Sequence, residues 1–394
     1  MKKVYLDHKD FKNMARGLRG EAQYIGEAKN YQILLNHVRT GDLACYFSAL
    51  HVLEAVRYKG DDPQELESYC TVLESLTQGK SIVWAESLEE RELKFFVQNR
   101  FRIPLGLSAD TYPYGEYLEA FPGTLETCAG WASQFKKMWD QKQREVLRPL
   151  GKTRNERRLI QKELPSLAEF TLTPEMMDTI PDALRHIYTP EIMTALIRGM
   201  PHSDNNALLS LIRRAMGIRE LLAVWKATCP DLEKMGRAFD ASGQQLIDMI
   251  SYNRSAVGVF GSDMHKQAVK DGLTGVTRML AKRFARRVHQ LFPGQGITKK
   301  QLEEALISTG LSAIPSWHVV GTLYYQYTLD SVGSAKRNIL ASDIRDIIHM
   351  RCLPYVDFIV TDRYFAELTR RVSGYKTIVF RNVQELVTAL DQSV

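Results

Sequence analysis

The stretch DIRDIIHMRCLPYVDFIVTDRYF, residues 343–365, has the clearest helix-to-strand pattern in the sequence. Its first half has the pattern of a helix that carries Asp346, and residues 355–360 have the pattern of a strand. The strand pattern stops just before Asp362. A carboxylate on a helix and a second one just past a strand are typical of an open α/β sheet, where ligands gather outside the carboxyl ends of the strands.

Two segments near the start of the chain complete this pattern. Residues 4–7, Val-Tyr-Leu-Asp, have the pattern of a short strand that ends in Asp7. Residues 43–47 are apolar and indicate a buried strand, which is followed by Ser48 and by a helix that carries Glu54. We therefore expect acids from both ends of the chain to meet at one site.

These segments together resemble the PIN-domain nucleases, a family of metal-dependent phosphodiesterases. The first strand of that family ends in an Asp, which corresponds to Asp7 here. The next strand ends in a Ser that is followed, six residues later, by a Glu at the start of a helix. Ser48 and Glu54 have that spacing. The resemblance covers about residues 1–100 and 336–394.

The second half of the resemblance lies in the stretch quoted above. The third acid of the family is on a helix, fifteen residues before a Thr, and Asp346 precedes Thr361 by fifteen. The fourth acid follows the Thr and has a Phe three residues later, as Asp362 and Phe365 do. The family often has one residue between the Thr and its acid, whereas this sequence has none.

The resemblance implies a PIN-like α/β fold, in which a parallel central sheet is flanked by helices, and a site for Mg²⁺ or Mn²⁺. Phosphodiester hydrolysis needs a nucleophilic oxygen at neutral pH and compensation for the charge on the phosphate, and a divalent cation provides both. Such hard cations prefer carboxylate oxygens. The implied catalytic ligands are Asp7 and Asp346 directly, Glu54 and Asp362 through water or at a second ion, with Ser48 and Thr361 hydrogen-bonded around them.

Each acid also has an ordinary structural interpretation when it is taken alone. An Asp after a strand is often the N-cap of the next helix, which applies to Asp7, and a Glu on a helix is usually solvated. Asp10 is expected at the surface. His51, three residues before Glu54, either packs in the core or touches substrate. The spacing match at three separate places favours a common site over these separate interpretations.

Composition is that of a globular protein. The chain has 394 residues, 44% of them hydrophobic and 25% charged, which is enough for more than one packed domain. Its five cysteines lie far apart without a CxxC pair, which argues against a disulfide framework or a zinc site and favours a cytoplasmic protein. We expect no signal peptide or membrane span, and no GxGxxG or GxxxxGK[ST] phosphate loop is present.

Between the two matched segments the sequence changes character. From about residue 101 to about residue 335 strand patterns are scarce and helical patterns dominate, with Pro and Gly as separators. We therefore predict a discontinuous α/β domain, residues 1–100 and 336–394, interrupted by an all-helical domain, residues 101–335. An insertion is tolerated when the chain leaves and re-enters a domain at nearby surface points.

The net charge of +6 is concentrated in this insertion. Residues 130–162 hold ten Lys and Arg against three acids, and residues 278–289 hold five basic residues without an acid. The second stretch has the pattern of an amphipathic helix whose cations lack acidic partners within it, so we expect them to bind phosphates. The residues predicted to bind nucleic acid are Arg278, Lys282, Arg283, Arg286, Arg287 and Arg363.

The sequence thus predicts a metal-dependent endoribonuclease, since small PIN proteins are commonly toxin ribonucleases. The large basic insertion favours a structured RNA such as tRNA, or a protein partner or inhibitor. A role as a toxin or defence effector follows by analogy only. Two other interpretations stay open: a non-catalytic PIN-like module that binds RNA or protein, and a flap-type DNA nuclease, which shares the acidic cluster.

Overall fold

The computed structural model describes most of the chain outside one long central segment. Its described residues form one compact unit, Met1–Ala120 with Leu232–Val394, while the second unit, Phe121–Asp231, lies almost wholly outside them. The predicted basic stretch at residues 130–162 therefore falls outside the described residues, apart from two positions. The described residues are 1–57, 63–83, 85–105, 107–108, 113–116, 137, 141, 217–219, 222, 232–260, 262–291, 296–333, 339–371 and 374–392.

The centre of the first unit is a parallel four-stranded sheet, as the sequence predicts. From one edge to the other, its strands are β2 (Leu43–Tyr46), β1 (Lys2–Tyr5), β5 (Phe358–Val360) and β6 (Ile378–Phe380). The first strand of the chain thus pairs with one that begins more than three hundred residues later. Buried apolar side chains on every strand explain why these short segments pair.

A smaller two-stranded sheet extends this one beyond β2. Strand β3 (Lys80–Ile82) pairs antiparallel with β4 (Tyr114–Glu116), and a parallel bridge between Phe47 and Ser81 joins β3 to the end of β2. Strand β4 was not predicted, because three residues that include a glycine carry too little alternation to be recognised.

Helices surround the sheet. The connection from helix α10 (Asp343–His349) to β5 is a 3₁₀ turn (Met350–Tyr355) that contains Pro354. That turn shortens the predicted strand at residues 355–360 to β5, because three of its six residues precede the pairing. The helices are α1 (His8–Leu18), α2 (Ile25–Thr40), α3 (Ala49–Arg57), α4 (Pro63–Thr77), α5 (Ala85–Phe101), α6 (Leu232–Phe260), α7 (Ser262–Leu291), α8 (Lys299–Thr309), α9 (Pro315–Gly333), α10 (Asp343–His349), α11 (Arg363–Arg370) and α12 (Val383–Asp391).

One face of the sheet is covered by helices that the sequence analysis assigned to the insertion. Alternate strand residues such as Tyr5, Ala44 and Tyr46 share one hydrophobic core with Leu246 of α6 and Leu323 of α9. A parallel sheet is stable only when both faces are covered, so these helices complete the α/β layer. The structure accordingly divides the chain near residues 120 and 232, and not at the predicted boundaries of 101 and 335.

The basic helix α7 belongs to the same unit. Its apolar side, which includes Leu280, Phe284 and Val288, packs with Leu93 of α5 and Leu302 of α8 in a second hydrophobic core. The amphipathic pattern at residues 278–289 therefore predicts the buried side of this helix correctly. In the ranges that the structure describes, no helix is both long enough and apolar enough to cross a membrane.

Candidate active site

The strand register brings the predicted acids to one edge of the sheet. Tyr5 pairs with Tyr46 on one side and with Ile359 on the other, all in parallel strands. The residues just past these three strands therefore lie along the same carboxyl edge. Those residues include Asp7, Ser48 and Asp362.

Asp7 follows β1 and is the N-cap of α1. The Asp7 backbone N–H donates to the Asp10 carboxylate at 3.2 Å, and Lys9 Nζ lies 3.4 Å from the Asp7 carboxylate. Asp10 is buried, so the expectation of an exposed side chain is wrong. Burial, followed by the charge of Asp7, raises the pKa of Asp10 to about 8. The first turn of α1 thus adds a second acid behind Asp7.

Glu54, on α3, is surrounded by basic side chains. His349 Nε2 of α10 lies 3.2 Å from one carboxylate oxygen and His8 Nδ1 lies 3.7 Å from the same atom. Arg345 Nε lies 3.8 Å from the other oxygen. Burial opposes ionisation, but the charge and hydrogen bond of His349, with His8, outweigh it and lower the pKa of Glu54 to about 2. Glu54 is therefore a neutralised carboxylate and not a free one.

The pKa values of His8 and His349 shift in opposite directions. Burial lowers the pKa of His8, in spite of the nearby Glu54 and Asp7 carboxylates, and its Nδ1 shares a hydrogen bond of 2.9 Å with the Tyr69 hydroxyl. Burial also acts on His349, but Glu54 and the neighbouring acids prevail and raise the pKa of His349. His349 is thus the better source of positive charge opposite Glu54.

Asp346, on α10, interacts electrostatically with the acids at the sheet edge. Burial raises its pKa to about 8, with further increases from the charges of Asp7, Asp362 and Glu54 and an opposing effect of His349. All three carboxylates are therefore close enough to repel a charge on Asp346. The structure brings the four predicted acids into one electrostatic cluster, hereafter the acid site (Asp7, Glu54, Asp346, Asp362).

Asp362 is the N-cap of α11. One of its carboxylate oxygens accepts the Phe365 backbone N–H at 2.9 Å, which is an ordinary capping bond. Thr361, just before it, is buried, and its backbone N–H donates to the Phe380 carbonyl at 3.1 Å. The capping role and the predicted ligand role of Asp362 are compatible, because a carboxylate has a second oxygen.

A buried tyrosine lies at the centre of the hydrogen bonds beneath the acid site. The Tyr5 hydroxyl is 2.7 Å from Ser48 Oγ and 2.7 Å from His349 Nδ1. His51 Nδ1 accepts the Ser48 backbone N–H at 3.0 Å, and its Nε2–H donates to the Leu6 carbonyl at 2.8 Å. Burial lowers the pKa of His51 well below its usual value, so the ring is neutral.

These contacts decide the interpretation that the sequence left open for His51. His51 is fully buried, so it packs in the core and does not touch substrate. Ser48 hydrogen-bonds Tyr5 and His51, and through Tyr5 it is linked to His349 and Glu54. The sequence analysis missed the role of Tyr5. The available signal was its place in a buried strand, because a buried tyrosine hydroxyl needs polar partners.

The acid site has the charge but not the close geometry of a metal centre. Among the residues that the structure describes, no three His, Cys, Asp or Glu side chains are gathered closely enough to hold one ion. The donor set nevertheless fits a hard divalent cation, since Asp7, Asp346 and Asp362 all supply carboxylate oxygens. Their mutual repulsion, which raises the pKa of Asp346, is what a cation would relieve.

Two of the predicted nucleic-acid ligands have acidic partners on another helix, contrary to expectation. Arg283 lies 3.4 Å from Glu89 and Arg287 lies 3.5 Å from Glu90, both on α5. These two arginines therefore brace α7 against α5. The other predicted cations are all exposed: they are Arg278, Lys282, Arg286 and Arg363. Among the described residues, only Arg363 of these four has an acidic partner, Glu367 at 3.2 Å.

The aromatic run at residues 324–327 divides between two environments. Tyr327 is fully buried in the sheet core and donates its hydroxyl proton to Asp343. Tyr324 and Tyr325 line a cavity of about 710 Å³ between α6, α7 and α9, whose described lining is mainly apolar. None of its described lining residues belongs to the acid site.

Comparison of the chain with protein-family models, with curated proteins and with solved structures found no match.

Proposed function

We propose that this protein is a metal-dependent endonuclease of the PIN type that hydrolyses RNA. One observation carries the proposal: acids from opposite ends of the chain share one edge of a parallel sheet and act on each other electrostatically. Such an excess of carboxylates is costly unless it serves to bind a cation. The strand–acid pattern that resembles PIN nucleases supports the same assignment.

In this proposal Asp7 and Asp346 would hold Mg²⁺ or Mn²⁺ directly, and Asp362 would assist through water. The bound cation would lower the pKa of a water molecule and offset charge on the scissile phosphate. Glu54 acts differently from the other three acids, because His349 already neutralises it. Its role is to hold α3 and α10 together, so that Asp346 faces Asp7 across the site.

Positive charge for the phosphate is available next to the acids. Arg345 lies on α10, one residue before Asp346, with contacts of 3.8 Å to Glu54 and 3.9 Å to Asp240. Both contacts are longer than a close bidentate pair, so the guanidinium can turn toward a phosphate. The exposed cations of α7 supply a second phosphate-binding surface. A structured RNA such as tRNA, and a growth-arresting toxin role, fit this charge.

The decisive experiment compares cleavage by matched acid variants. Purified protein should cut RNA in Mn²⁺ and stop in EDTA, and Asp7→Asn should bind RNA without cutting it. Asp357→Asn is the matched control, because Asp357 precedes β5 at the opposite edge of the sheet and accepts the Lys3 backbone N–H at 2.7 Å. Full cleavage by the Asp7 variant would refute the proposal, and a preference for flapped DNA would reassign the substrate.

A non-catalytic binding module is the second candidate. Two observations favour it: Glu54 is already neutralised by bases, and no three described donors converge on one point. A module of this kind would bind RNA through α7 and would cut neither RNA nor DNA in any divalent cation. The same cleavage assay therefore separates the two functions, provided that RNA binding is measured in parallel.

A further inference from the structure

A chamber of about 420 Å³ adjoins the acid site. Tyr5, Ser48 and His349 form part of its wall, so the hydrogen-bond network beneath the acids is also one side of this chamber. Much of the remaining wall is aliphatic and includes Leu50 and Ile348. Its volume lies in the range of about 300–1,000 Å³ that is typical of small-molecule sites.

Arg351 is the cation in this wall. Its Nε atom is shielded from solvent, and among the described residues it has neither a hydrogen-bond nor an ion-pair partner. The guanidinium carbon lies 4.8 Å from the centre of the Trp317 ring, which also lines the chamber. Burial lowers the pKa of Arg351, as expected for a charge that has lost water without gaining a paired acid.

The two acids that act on Arg351 electrostatically are engaged elsewhere. Glu92 accepts the Ser316 backbone N–H at 2.7 Å, the Ser316 hydroxyl at 2.6 Å and the Tyr355 hydroxyl. Glu89 accepts the Trp317 indole N–H at 3.0 Å and pairs with Arg283. Neither makes a direct contact with Arg351 in the structure. The guanidinium therefore keeps donors available to a ligand in the chamber.

We propose that this chamber binds a small organic anion, consisting of a phosphate or carboxylate on an apolar body, with the anionic group on Arg351. An apolar wall with a single unpaired cation selects for that chemistry, because the body gains from burial and the anion from a charge-assisted hydrogen bond. A medium-chain alkyl phosphate and a medium-chain fatty acid both meet this description. The inference concerns binding alone and does not depend on the nuclease reaction.

The test is a titration of the 394-residue chain in EDTA, with decyl phosphate and decanoate as the two probes. Arg351→Met removes the charge but keeps an apolar stem, Leu50→Trp fills the chamber, and Arg381→Met is the matched control. Arg381 is partly exposed and pairs with Glu385 at 2.9 Å outside the chamber. Circular dichroism would establish that each variant is folded.

The expected result is saturable binding of at least one probe that weakens tenfold or more in Arg351→Met and in Leu50→Trp, with no change in Arg381→Met. Preference for one probe then identifies the phosphate or the carboxylate as the favoured anion. Absence of binding, or equal binding by Arg351→Met or by Leu50→Trp, would overturn the proposal.

Discussion

His349 Nε2 lies 3.2 Å from Glu54 while its Nδ1 lies 2.7 Å from the Tyr5 hydroxyl. A single buried imidazole therefore joins α10, α3 and β1, three elements that come from distant parts of the sequence. Because both ring nitrogens are occupied, the ring cannot rotate without breaking one contact. This arrangement fixes the helix that carries Asp346.

Removing this imidazole should destabilise the protein strongly. We expect His349→Ala to lower the free energy of unfolding by about 3 kcal/mol, because it removes one buried hydrogen-bond partner from each of Glu54 and Tyr5. Urea denaturation measures the change. His37→Ala is the control, since His37 pairs at 3.6 Å with an Asp42 side chain that is 67% exposed, and should cost less than about 1 kcal/mol. Equal losses in the two variants would contradict the role given to His349.

The acid site should trade stability for cation binding. In EDTA, Asp346→Asn should raise the free energy of unfolding by about 1 kcal/mol, because it removes one of several mutually repelling carboxylates. Asp357→Asn should not raise it, since the Asp357 carboxylate accepts a backbone hydrogen bond from Lys3. Added Mn²⁺ should increase the melting temperature of the wild type by mass action and of Asp346→Asn much less. An identical response of the two proteins would argue against a cation at this site.

The cations of α7 should separate into binding and bracing groups. Replacing Arg278, Lys282 and Arg286 with Ala should weaken RNA binding and reduce the slope of log affinity against log salt by about 2, at about 0.7 per phosphate contact on a single strand. Replacing Arg283 and Arg287 should mainly lower stability, because both pair with α5. Fluorescence anisotropy across a salt series measures the first effect. A larger change of slope in the bracing pair would contradict this division.

The buried Glu92 should make stability depend on pH. Burial raises its pKa above the ordinary value of about 4.3, although Ser316 and Tyr355 hydrogen-bond the carboxylate. As pH rises past that ordinary value, the unfolded chain ionises first, so stability that is present at low pH is lost until the folded-state pKa is passed.

Glu92→Gln should therefore lose less stability than the wild type as the pH rises above about 4.3, the ordinary pKa of a glutamate, as urea denaturation at several pH values would measure. Glu304→Gln, at an exposed carboxylate 3.9 Å from Lys300, should follow the wild-type curve. Parallel curves for the wild type and the Glu92 variant would show that Glu92 has no raised pKa.

Two glycines in neighbouring helices should respond oppositely to alanine. A Cβ on Gly243 of α6 would overlap the Ala341 carbonyl oxygen, so Gly243→Ala should destabilise the protein by about 1–3 kcal/mol. A Cβ on Gly275 of α7 meets nothing within 4 Å, so Gly275→Ala should stabilise by about 0.5–1 kcal/mol through helix propensity. Thermal unfolding of both variants measures the difference. If the Gly243→Ala variant were as stable as the wild type, α6 would not approach the segment before α10 so closely.

The sequence was sufficient to predict the sheet edge and the acids along it. The short apolar strands that end in Asp7 and Asp362 are local signals, and local signals survive in a single sequence. Hydrogen bonds such as that between Tyr5 and His349 link residues 344 positions apart, and no local pattern encodes them. Such hydrogen bonds depend on the tertiary packing that brings α10 next to β1 and α3.

The domain boundaries were harder to predict for a related reason. The patterns of α6 and α9 show that they are helices, but periodicity alone does not tell which surface a helix covers. Leu246 and Leu323 complete the core of the sheet and do not start a separate one. The same limit applies to Arg283 and Arg287, whose acidic partners lie almost two hundred residues upstream.

The pairing of β1 with β5 also has a consequence during synthesis. A nascent chain that has emerged as far as α9 still lacks the central neighbour of its first strand and both later acids, Asp346 and Asp362. Closing so long a loop is entropically slow, and the exposed strand edge needs protection in the meantime. Under the proposed function, cleavage therefore requires that synthesis has passed Asp362, because the acid site cannot assemble before then.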